Sequence, residues 1–370
     1  MTIRVLHVLH QGGGAGSVTS TLHLSDGLRR AGFGIRFACP PDSEVEAEAR
    51  ARGLDVFPLP LRAGQRRANA AALAGLLDRV PVDLVNSQSA RDREALTWLA
   101  LSGRLRVPLV VTRRQMPRTF ILENWLASRA SARVIAVSSA VAAALRRKGT
   151  PARKLVVIPN GLIVERVDSA ASGAALGTWR AAIGWSPAQR TIGIVARPKD
   201  QAVVIEALKF IQTPVRLVLA GVDATSDIGH RAGRVPPRHA VVCLPYSRDV
   251  RPLYDLLELV LLPSRIEGLS QSLLEAMALG KPVIASAAAG NVDLIDPEVN
   301  GLLVPPLDAR AWASAIERLL GDPAIGDRLG TAARRTARET FSLERTIERT
   351  GALYASLVAS PPIAPSPRGR

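Results

Sequence analysis

Residues 259–286 read LVLLPSRIEGLSQSLLEAMALGKPVIAS, and this stretch has the clearest structural pattern of the chain. Its apolar runs at 259–262 and 283–286 each have the length and composition of a buried strand. Between them, residues 270–279 have a helical pattern. A strand, a helix and a second strand in this order predict a βα unit of a parallel sheet.

The loop of this stretch carries Glu267, and Glu275 follows after seven further residues. The first amides of the helix are unpaired and its dipole is positive there, so an anion binds without other groups. Glu267 can then meet sugar hydroxyls, while Glu275 accepts hydrogen bonds from a ribose diol. The alternatives are structural: Ser272 and Glu275 have the spacing of a capping box, and Glu267 can be a solvated loop charge.

The same alternation of apolar runs and helical patterns occupies most of the chain. It predicts an α/β fold with two Rossmann-like parallel-sheet domains that face a central cleft. Further strands are predicted at residues 3–9, 35–39, 56–59, 83–86, 109–112, 134–137, 155–158, 191–196, 215–221 and 240–244. Helices are predicted at residues 17–31, 44–52, 202–210, 250–257 and 308–320.

A change of composition divides the chain. Asn160 and Gly161 form a turn signal, and residues 168–187 contain several serines and glycines. We therefore predict an N-terminal domain at 1–165, a linker at 166–188 and a C-terminal domain at 189–340. A helix at 341–359 is expected to cross back to the N-terminal domain, and residues 360–370 are expected to be disordered.

Composition limits the class of protein. Hydrophobic residues make up 47 % of the 370 residues and the mean hydropathy is +0.14, so the chain is globular. No apolar run reaches the roughly 18 residues of a membrane span, and the first residues lack the order of regions in a signal peptide. Cys39 and Cys243 lie far apart inside apolar runs, which predicts buried free thiols and a cytoplasmic location.

The positive charge is concentrated in one part of the chain. The net charge is +16, and residues 91–154 hold fourteen basic and three acidic residues, a local excess of 14 − 3 = +11. Such a basic face attracts nucleic acid, anionic lipid or an anionic substrate. The chain has no paired Cys/His ligands and only 4 % aromatic residues, which argues against nucleic acid as a partner.

Residues 118–126 either rest on an anionic membrane or form an amphipathic helix packed on the core, and we favour packing of the apolar face with the arginines outward.

Cations and glycines that follow strands supply further candidates. Arg197 and Lys199 follow the strand at 191–196, and fixed cations there lower the barrier to the departure of a diphosphate. Because these cations supply the charge, no metal or other cofactor is expected; the alternative is an ordinary basic loop.

The glycine run 12–16, with Gly13 and Gly14 as donor-binding candidates, lets the backbone approach a phosphate or sugar. It could equally bind a nicotinamide dinucleotide, but the Gly-x-Gly-x-x-Gly pattern is missing.

Acceptor contacts are expected from loops that follow strands of the N-terminal domain. His10 contacts the acceptor or the donor, or it merely fills a strand end. Gln88, Arg113 and Arg114 follow the strands at 83–86 and 109–112. Two adjacent arginines suit a phosphorylated or carboxylated acceptor, and the alternative is a solvated basic edge.

The segment from Val260 to Ala285 resembles the retaining, nucleotide-sugar-dependent glycosyltransferases of the GT-B fold, of the group 1 or family 4 type. Their signature has two glutamates with seven residues between them, followed by Ala-Met-Ala-x-Gly-Lys-Pro-Val, which is found here at 276–283. The resemblance extends to residues 5–8 with the glycine run, to 158–161 and to 300–306.

This resemblance implies an enzyme that moves a sugar from a nucleotide-sugar donor to a glycan or lipid-linked acceptor, of the cell-surface polysaccharide or lipopolysaccharide type. It places Glu267 by the transferred sugar and Glu275 by the ribose. Backbone amides toward the sugar and diphosphate are implied for Gly268, Leu269 and Ser270. The implied location is the cytoplasm, with peripheral contact to the inner face of the membrane.

Catalytic roles are implied for Glu267, Arg197 and Lys199. The family usually has several residues between its arginine and lysine, whereas only Pro198 separates them here, which makes Arg197 the preferred cation. Two other classes stay open. A sugar-nucleotide epimerase shares the double-domain fold, and a non-catalytic nucleotide-sugar-binding subunit fits the shortened loop.

Overall fold

The computed structural model describes residues 2–13 and 16–359, without the side chains of residues 165 and 166. Gly14 and the tail at 360–370, for which we predicted donor contact and disorder, lie outside the described residues. The chain forms two compact units. The N-terminal unit contains the residues up to Gly161 and those from Leu343 onward, and the C-terminal unit contains Leu162–Ser342.

The N-terminal unit is built on a seven-stranded parallel sheet with the order β3-β2-β1-β4-β5-β6-β7. Its strands are β1 (Arg4–Val8), β2 (Gly34–Cys39), β3 (Asp55–Pro58), β4 (Leu84–Ser87), β5 (Leu109–Arg113), β6 (Arg133–Ala136) and β7 (Leu155–Val157). The helices between them are α1 (Gly16–Arg30), α2 (Glu44–Ala51), α3 (Arg66–Arg79), α4 (Ala90–Leu101), α5 (Ile121–Ala130), α6 (Ser139–Arg147) and a short 3₁₀ helix (Ala152–Lys154).

The C-terminal unit has a six-stranded parallel sheet with the order β10-β9-β8-β11-β12-β13. Its strands are β8 (Arg190–Val195), β9 (Val215–Ala220), β10 (Ala240–Leu244), β11 (Leu259–Leu262), β12 (Val283–Ser286) and β13 (Leu302–Val304). Its helices are α7 (Val164–Asp168), α8 (Gly173–Ile183), α9 (Ala202–Ala207), α10 (Asp227–Ala232), α11 (Arg251–Leu256), α12 (Gln271–Ala278), α13 (Ala309–Gly321), α14 (Pro323–Thr340) and a 3₁₀ helix (Ala289–Asp293).

The α/β architecture with two parallel sheets is confirmed. Each predicted strand is present, with ends that differ from the prediction by at most one residue. Every residue of β11 and β12 is buried, which is why their sequences are nearly continuous apolar runs. Cys39 is buried as predicted, but Cys243 is partly exposed because it lies on β10, at the edge of its sheet.

The segment predicted as a linker at 166–188 belongs to the C-terminal unit and contains α8. Ser172 and Gly184 serve as the caps of this helix. The Ser172 side chain accepts a hydrogen bond from the amide of Ala175 at 3.2 Å, and Gly184 ends the helix with a positive φ of 60°. Serine and glycine are common both in linkers and at helix ends, so composition alone does not distinguish the two.

The chain returns to the N-terminal unit through α15 (Leu343–Ala359), which packs against α1. Tyr354 of α15 is fully buried, and its hydroxyl lies 3.1 Å from His7 Nε2 in β1. Asn86 donates to the same hydroxyl, and His7 Nδ1 lies 2.7 Å from Ser25 Oγ. Ser25 Oγ itself donates to a backbone carbonyl of α1, so it accepts from Nδ1–H of His7. Because Asn86 already donates to the Tyr354 hydroxyl, that hydroxyl can donate to Nε2, and a neutral imidazole satisfies the whole network.

His7 should make the protein lose stability in mild acid. Burial, helped by the charge of Arg114, lowers the pKa of His7 from 6.5 to about 3. Because the unfolded chain takes up the proton first, the stability that depends on neutral His7 is intact above pH 6.5. It declines as the pH falls toward 3, by about 1.4 kcal/mol per pH unit. Between pH 7 and pH 5 we therefore expect the free energy of unfolding to fall by about 2 kcal/mol less in His7→Gln than in the wild type, measured by urea unfolding.

The exposed His230 provides the control for this prediction. The His230→Gln variant should follow the wild-type dependence of unfolding free energy on pH. A wild-type and a His7→Gln curve that run parallel from pH 7 to pH 5 would show that His7 titrates normally.

Helix α5 contradicts the packing that we favoured for residues 118–126. Its buried side chains include Asn124 and Ser128, whereas Phe120 and Leu122 are 84 % and 64 % exposed. Polar contacts hold the inner face, because Asn124 Oδ1 accepts from Arg113 at 2.9 Å and Ser128 Oγ lies 2.9 Å from a threonine hydroxyl. The apolar face of the segment is therefore turned to solvent.

Candidate functional site

The C-terminal unit changes direction between two neighbouring strands. β8 and β11 pair with each other, while the chain proceeds from β8 to one side of the sheet and from β11 to the other. Loops at the carboxyl ends of such strands form the crevice in which open α/β sheets bind ligands. Arg197 and Lys199 follow β8, and Glu267 follows β11. Three sequence-predicted residues thus lie on the two loops that flank the switch point.

The structure brings Lys199 and Glu267 into contact. Lys199 Nζ donates to Glu267 Oε1, and their side chains are 34 % and 15 % exposed. A second contact joins the same loops. The Arg265 guanidinium donates to Asp200 Oδ1, and the Arg265 backbone amide donates to Asp200 Oδ2 at 2.9 Å. The short loop after β8 is therefore long enough for Lys199 to reach the glutamate.

Ser270, not Ser272, caps the helix that carries Glu275. The Ser270 hydroxyl accepts from the amide of Leu273 at 3.3 Å. With this cap, Glu275 lies beyond the third helical position that a capping box needs. The register of α12 therefore excludes a capping box between Ser272 and Glu275.

The loop before α12 leaves backbone donors open. Among the described residues, no acceptor receives a hydrogen bond from the amides of Gly268, Leu269 or Ser270. The 3₁₀ helix Ala289–Asp293 packs tightly against this loop, since a Cβ added at Gly290 would lie 1.9 Å from the carbonyl oxygen of Gly268. The amide of Gly290 also donates to the carbonyl of Glu267 at 3.3 Å. Close backbone packing thus fixes the donors beside the start of α12.

Glu275 lies between two small cavities of the C-terminal unit. One, of about 170 Å³, is also lined by Arg197, Gly221 and Ser272. The other, of about 260 Å³, is lined by residues of α11 and by the segment near Ser169. Both cavities share Glu275 and Arg248.

Sequence reasoning missed two residues of these cavities. Arg248 lines both, and Tyr246, which is 64 % exposed, lines the smaller one. Their position after the strand β10 was the signal that could have identified them, because it places them at the same edge of the sheet.

The N-terminal unit has its own switch point, between β1 and β4. A cavity of about 310 Å³ lies there. All four sequence-predicted acceptor residues line it, namely His10, Gln88, Arg113 and Arg114. Gly13 does not line this cavity. A Cβ at Gly13 would lie 2.8 Å from Glu44 Oε2, so the glycine loop packs against the start of α2.

His10 is held by a buried carboxylate that the sequence analysis did not select. His10 Nδ1 lies 2.6 Å from Ser89 Oγ and 3.2 Å from Asp92 Oδ1. Burial acts to raise the pKa of Asp92, but hydrogen bonds from His10, Ser89 and Ser87 outweigh it, and the pKa lies below its usual range. The Ser-x-x-Asp spacing at 89–92, a capping signal, was visible in the sequence. His10 is therefore an oriented side chain at the cavity.

Arg113 and Arg114 do not form a solvated basic edge. They are only 7 % and 8 % exposed. Gln88 accepts from the Arg114 guanidinium through its side-chain oxygen. Both guanidiniums therefore lie in the wall of the cavity and are held there by neutral side chains.

The described residues 2–13 and 16–359 contain neither a metal-binding cluster nor a membrane-spanning helix. No cluster of three or more His, Cys, Asp or Glu side chains could hold a metal ion there. No helix in the same residues combines the length and the apolar character needed to cross a membrane.

Two family models match the chain, and together they cover most of both units. The model for Glycosyltransferase Family 4 matches residues 14–166, and the model for Glycosyl transferases group 1 matches residues 189–322.

Curated relatives match over shorter stretches. D-inositol 3-phosphate glycosyltransferase from Salinispora arenicola is 38 % identical over 143 residues, which are 38 % of this chain and 32 % of the relative. The lipopolysaccharide core biosynthesis mannosyltransferase LpcC from Rhizobium leguminosarum bv. viciae is 38 % identical over 110 residues, or 30 % of this chain and 31 % of LpcC. The chain spans about half or less of the length of the curated relatives that it matches, such as 42 % and 55 % of two others.

Solved structures match over nearly the whole chain. HepE from Anabaena, solved in complex with UDP-glucose, has a TM-score of 0.80 at 20 % identity and covers 96 % of this chain and 100 % of its own. WaaG, described as a glycosyltransferase involved in lipopolysaccharide biosynthesis, has a TM-score of 0.69 at 16 % identity, with 96 % and 100 % covered. At these identities the likeness establishes the fold. The two family models show that the chain belongs to the glycosyltransferases of the group 1 and family 4 type, and the solved structures show that it has the GT-B fold.

Proposed function

We propose that the protein is a retaining glycosyltransferase that moves a sugar from a nucleotide-sugar to a hydroxyl of a glycan or lipid-linked acceptor. The observation that carries the proposal is the cluster at the switch point of the C-terminal unit, where Lys199 pairs with Glu267 and Arg197 shares a cavity with Glu275. The relatives support it by name, since LpcC is a lipopolysaccharide core mannosyltransferase and HepE was solved with UDP-glucose.

Each group of the cluster has a role that follows from its charge. Arg197 and Lys199 stabilise the diphosphate as it gains negative charge, so the reaction proceeds without a metal. Glu267 orients the transferred sugar, and Glu275 accepts hydrogen bonds from the ribose hydroxyls. The open amides before α12 bind the diphosphate at the positive end of the helix.

In the proposed reaction, the bond between the anomeric carbon and the leaving phosphate oxygen breaks through an oxocarbenium-like ion pair. The acceptor oxygen bonds to the same face of that carbon, and its proton passes to the leaving phosphate. Exclusion of water limits hydrolysis of the ion pair. The retention of configuration is checked by NMR of the anomeric proton in the product.

Glu275→Ala tests the assignment of the donor site. A screen of nucleotide-sugars for thermal stabilisation identifies the base. Calorimetry with the corresponding nucleoside diphosphate should then show binding that is about 10-fold weaker in the variant, because a charge-assisted hydrogen bond to the ribose is lost.

The matched control for this test is Glu339→Ala, which removes an exposed glutamate from helix α14 of the same unit. It should bind the nucleotide like the wild type. Equal affinity of Glu275→Ala and wild type, with equal melting temperatures, would remove the ribose role. The absence of stabilisation by every nucleotide-sugar would contradict the proposed function as a whole.

We further propose that the protein works in the cytoplasm with its N-terminal unit on an anionic membrane surface. The supporting observation is the exposed apolar face at Phe120, Ile121, Leu122 and Trp125. Basic residues surround it, since the Arg129 guanidinium lies 5.9 Å from the Trp125 ring centre and α6 ends in two exposed arginines nearby. An apolar face with a basic rim suits the headgroup region of an anionic bilayer, and vesicle sedimentation tests this.

A further inference from the structure

Three arginines are buried around the cavity at the switch point of the N-terminal unit. Arg93 and Arg113 are each 7 % exposed and Arg114 is 8 % exposed. All three line the cavity of about 310 Å³, which is at the lower end of the roughly 300–1,000 Å³ of small-molecule sites. Buried arginines are rare unless they are paired, because taking a guanidinium out of water is costly.

The carboxylates nearby do not balance these charges. Arg93 pairs with Glu123 at 3.4 Å. Arg113 donates to the neutral Asn124 side chain and to a threonine hydroxyl, and Arg114 donates to the neutral Gln88. Among the described residues, neither of these two arginines forms an ion pair with a carboxylate.

Asp92, the buried acid of this region, is already engaged. One of its oxygens accepts from the Ser87 hydroxyl at 2.7 Å and from the amides of Gln88 and Ser89 at 2.8 and 2.9 Å. The other oxygen faces His10 and the hydroxyl of Ser89. The charges of Asp92 and Glu123 offset two of the three buried arginines, so the cavity wall keeps an excess of positive charge.

Hydrogen-bond donors in the wall are also left open. Arg114 Nε and Gln88 Nε2 are buried and have no hydrogen-bond partner among the described residues. An unmade hydrogen bond at a buried donor is expensive. Burial also lowers the pKa of Arg113 to about 9 and that of Arg114 to about 10, so both groups hold their charge against an unfavourable environment.

We propose that this cavity binds a phosphate group, held by Arg113 and Arg114 with the Gln88 amide as a further donor. A phosphate presents several acceptor oxygens and about −1.5 to −2 of charge, which matches the two guanidiniums and the open N–H groups better than a single carboxylate does. On the proposed function, on which this step rests, the phosphate belongs to the acceptor. The protein then selects a phosphorylated sugar or a lipid phosphate over its uncharged counterpart.

Calorimetry on the full chain tests the site, with inorganic phosphate titrated after saturation with the nucleoside diphosphate that the thermal screen identifies. The variants Arg113→Gln and Arg114→Gln should weaken phosphate binding at least about 10-fold, since each loses a charge-assisted bond. Arg104→Gln removes an exposed arginine of the same unit and should bind like the wild type. If a Gln variant fails to fold, Arg114→Lys keeps the charge and loses the planar fork, and it should still bind more weakly.

The other probes test the need for the phosphate group and its assignment to the acceptor. Glycerol 3-phosphate should compete with inorganic phosphate, and glycerol should not. A loss of affinity for the nucleoside diphosphate in the arginine variants as large as the loss for phosphate would assign the anion to the donor and overturn the acceptor assignment. Wild-type phosphate binding that these variants leave unchanged would overturn the site.

The two proposals fail in different ways. If no nucleotide binds and no sugar is transferred, but phosphate still binds through Arg113 and Arg114, the proposed function is wrong and the phosphate site stands. If transfer occurs while phosphate binds nowhere in the N-terminal unit, the site is wrong and the function stands.

Discussion

Replacing Glu267 by glutamine is expected to lower kcat for sugar transfer by about 10²- to 10³-fold, measured with the donor identified by thermal stabilisation. The affinity for the nucleoside diphosphate should change by less than about 3-fold, because the lost interaction acts mainly on the sugar in the transition state. Glutamine preserves the shape of the side chain and removes its charge. The experiment therefore isolates the electrostatic contribution of the carboxylate.

The physical reason lies in the pair that Glu267 forms with Lys199. The carboxylate orients the ammonium that we assign to the diphosphate, and it also accepts from the sugar hydroxyls. A neutral amide holds both partners more weakly. Lys199→Met should give a loss of similar size, and the double variant should lose less than the product of the two single losses, because the residues act as one unit.

Glu206→Gln is the matched control for this prediction. Glu206 also pairs with a lysine, Lys209 at 2.8 Å, but this pair is half exposed and lies at the carboxyl end of α9. Its kcat should equal that of the wild type. A Glu267→Gln enzyme with wild-type kcat and an unchanged melting temperature would exclude Glu267 from the reaction.

The sequence was sufficient to locate the strands of the two sheets and the stretch from Glu267 to Glu275. Buried parallel strands need continuous apolar runs, so β11 and β12 could be located by composition alone. The helix between them follows from its local pattern. Its capping residue could not be predicted, since Ser270 and Ser272 both suit a cap and the loop geometry selects Ser270.

Contacts between distant parts of the chain could not be predicted in this way. Lys199 and Glu267 are 68 residues apart, and His10 and Asp92 are 82 residues apart. No periodicity encodes such pairs; they arise because the carboxyl ends of neighbouring strands meet at one edge of a sheet. The burial of Arg113 and Arg114 has the same origin, since the wall of the cavity forms only when the strands β4 and β5 lie side by side.

Helix α5 shows a different limit. The local pattern of residues 118–126 mixes apolar and polar side chains, and either face could have turned inward. The inner face was decided by tertiary hydrogen bonds of Asn124 and Ser128. The apolar side chains were left outside, which is unusual for a helix that only needs to pack and is typical of an interaction surface.

Membrane binding should depend strongly on this apolar face. We expect the double variant Phe120→Ser, Leu122→Ser to bind at least about 30-fold more weakly to phosphatidylglycerol-containing vesicles, measured by sedimentation. The two side chains are 84 % and 64 % exposed. Burying an apolar side chain of this size contributes about 1.5–3 kcal/mol, so partial insertion of two of them contributes at least about 2 kcal/mol. Folding stability should change little, because substitutions at exposed positions usually stay within about 0.5 kcal/mol.

The basic rim predicts the lipid and salt dependence of the same measurement. Wild-type binding should fall when phosphatidylcholine replaces the anionic lipid and when the salt concentration rises, since the attraction of arginines to the bilayer is screened. Val299→Ser, which removes an exposed apolar side chain from the C-terminal unit, is the control and should bind like the wild type. Equal binding of the double variant and the wild type would show that the apolar face of residues 120–125 does not contact lipid. Its exposure would then need a protein partner, because an apolar face of this size is unfavourable in water on its own.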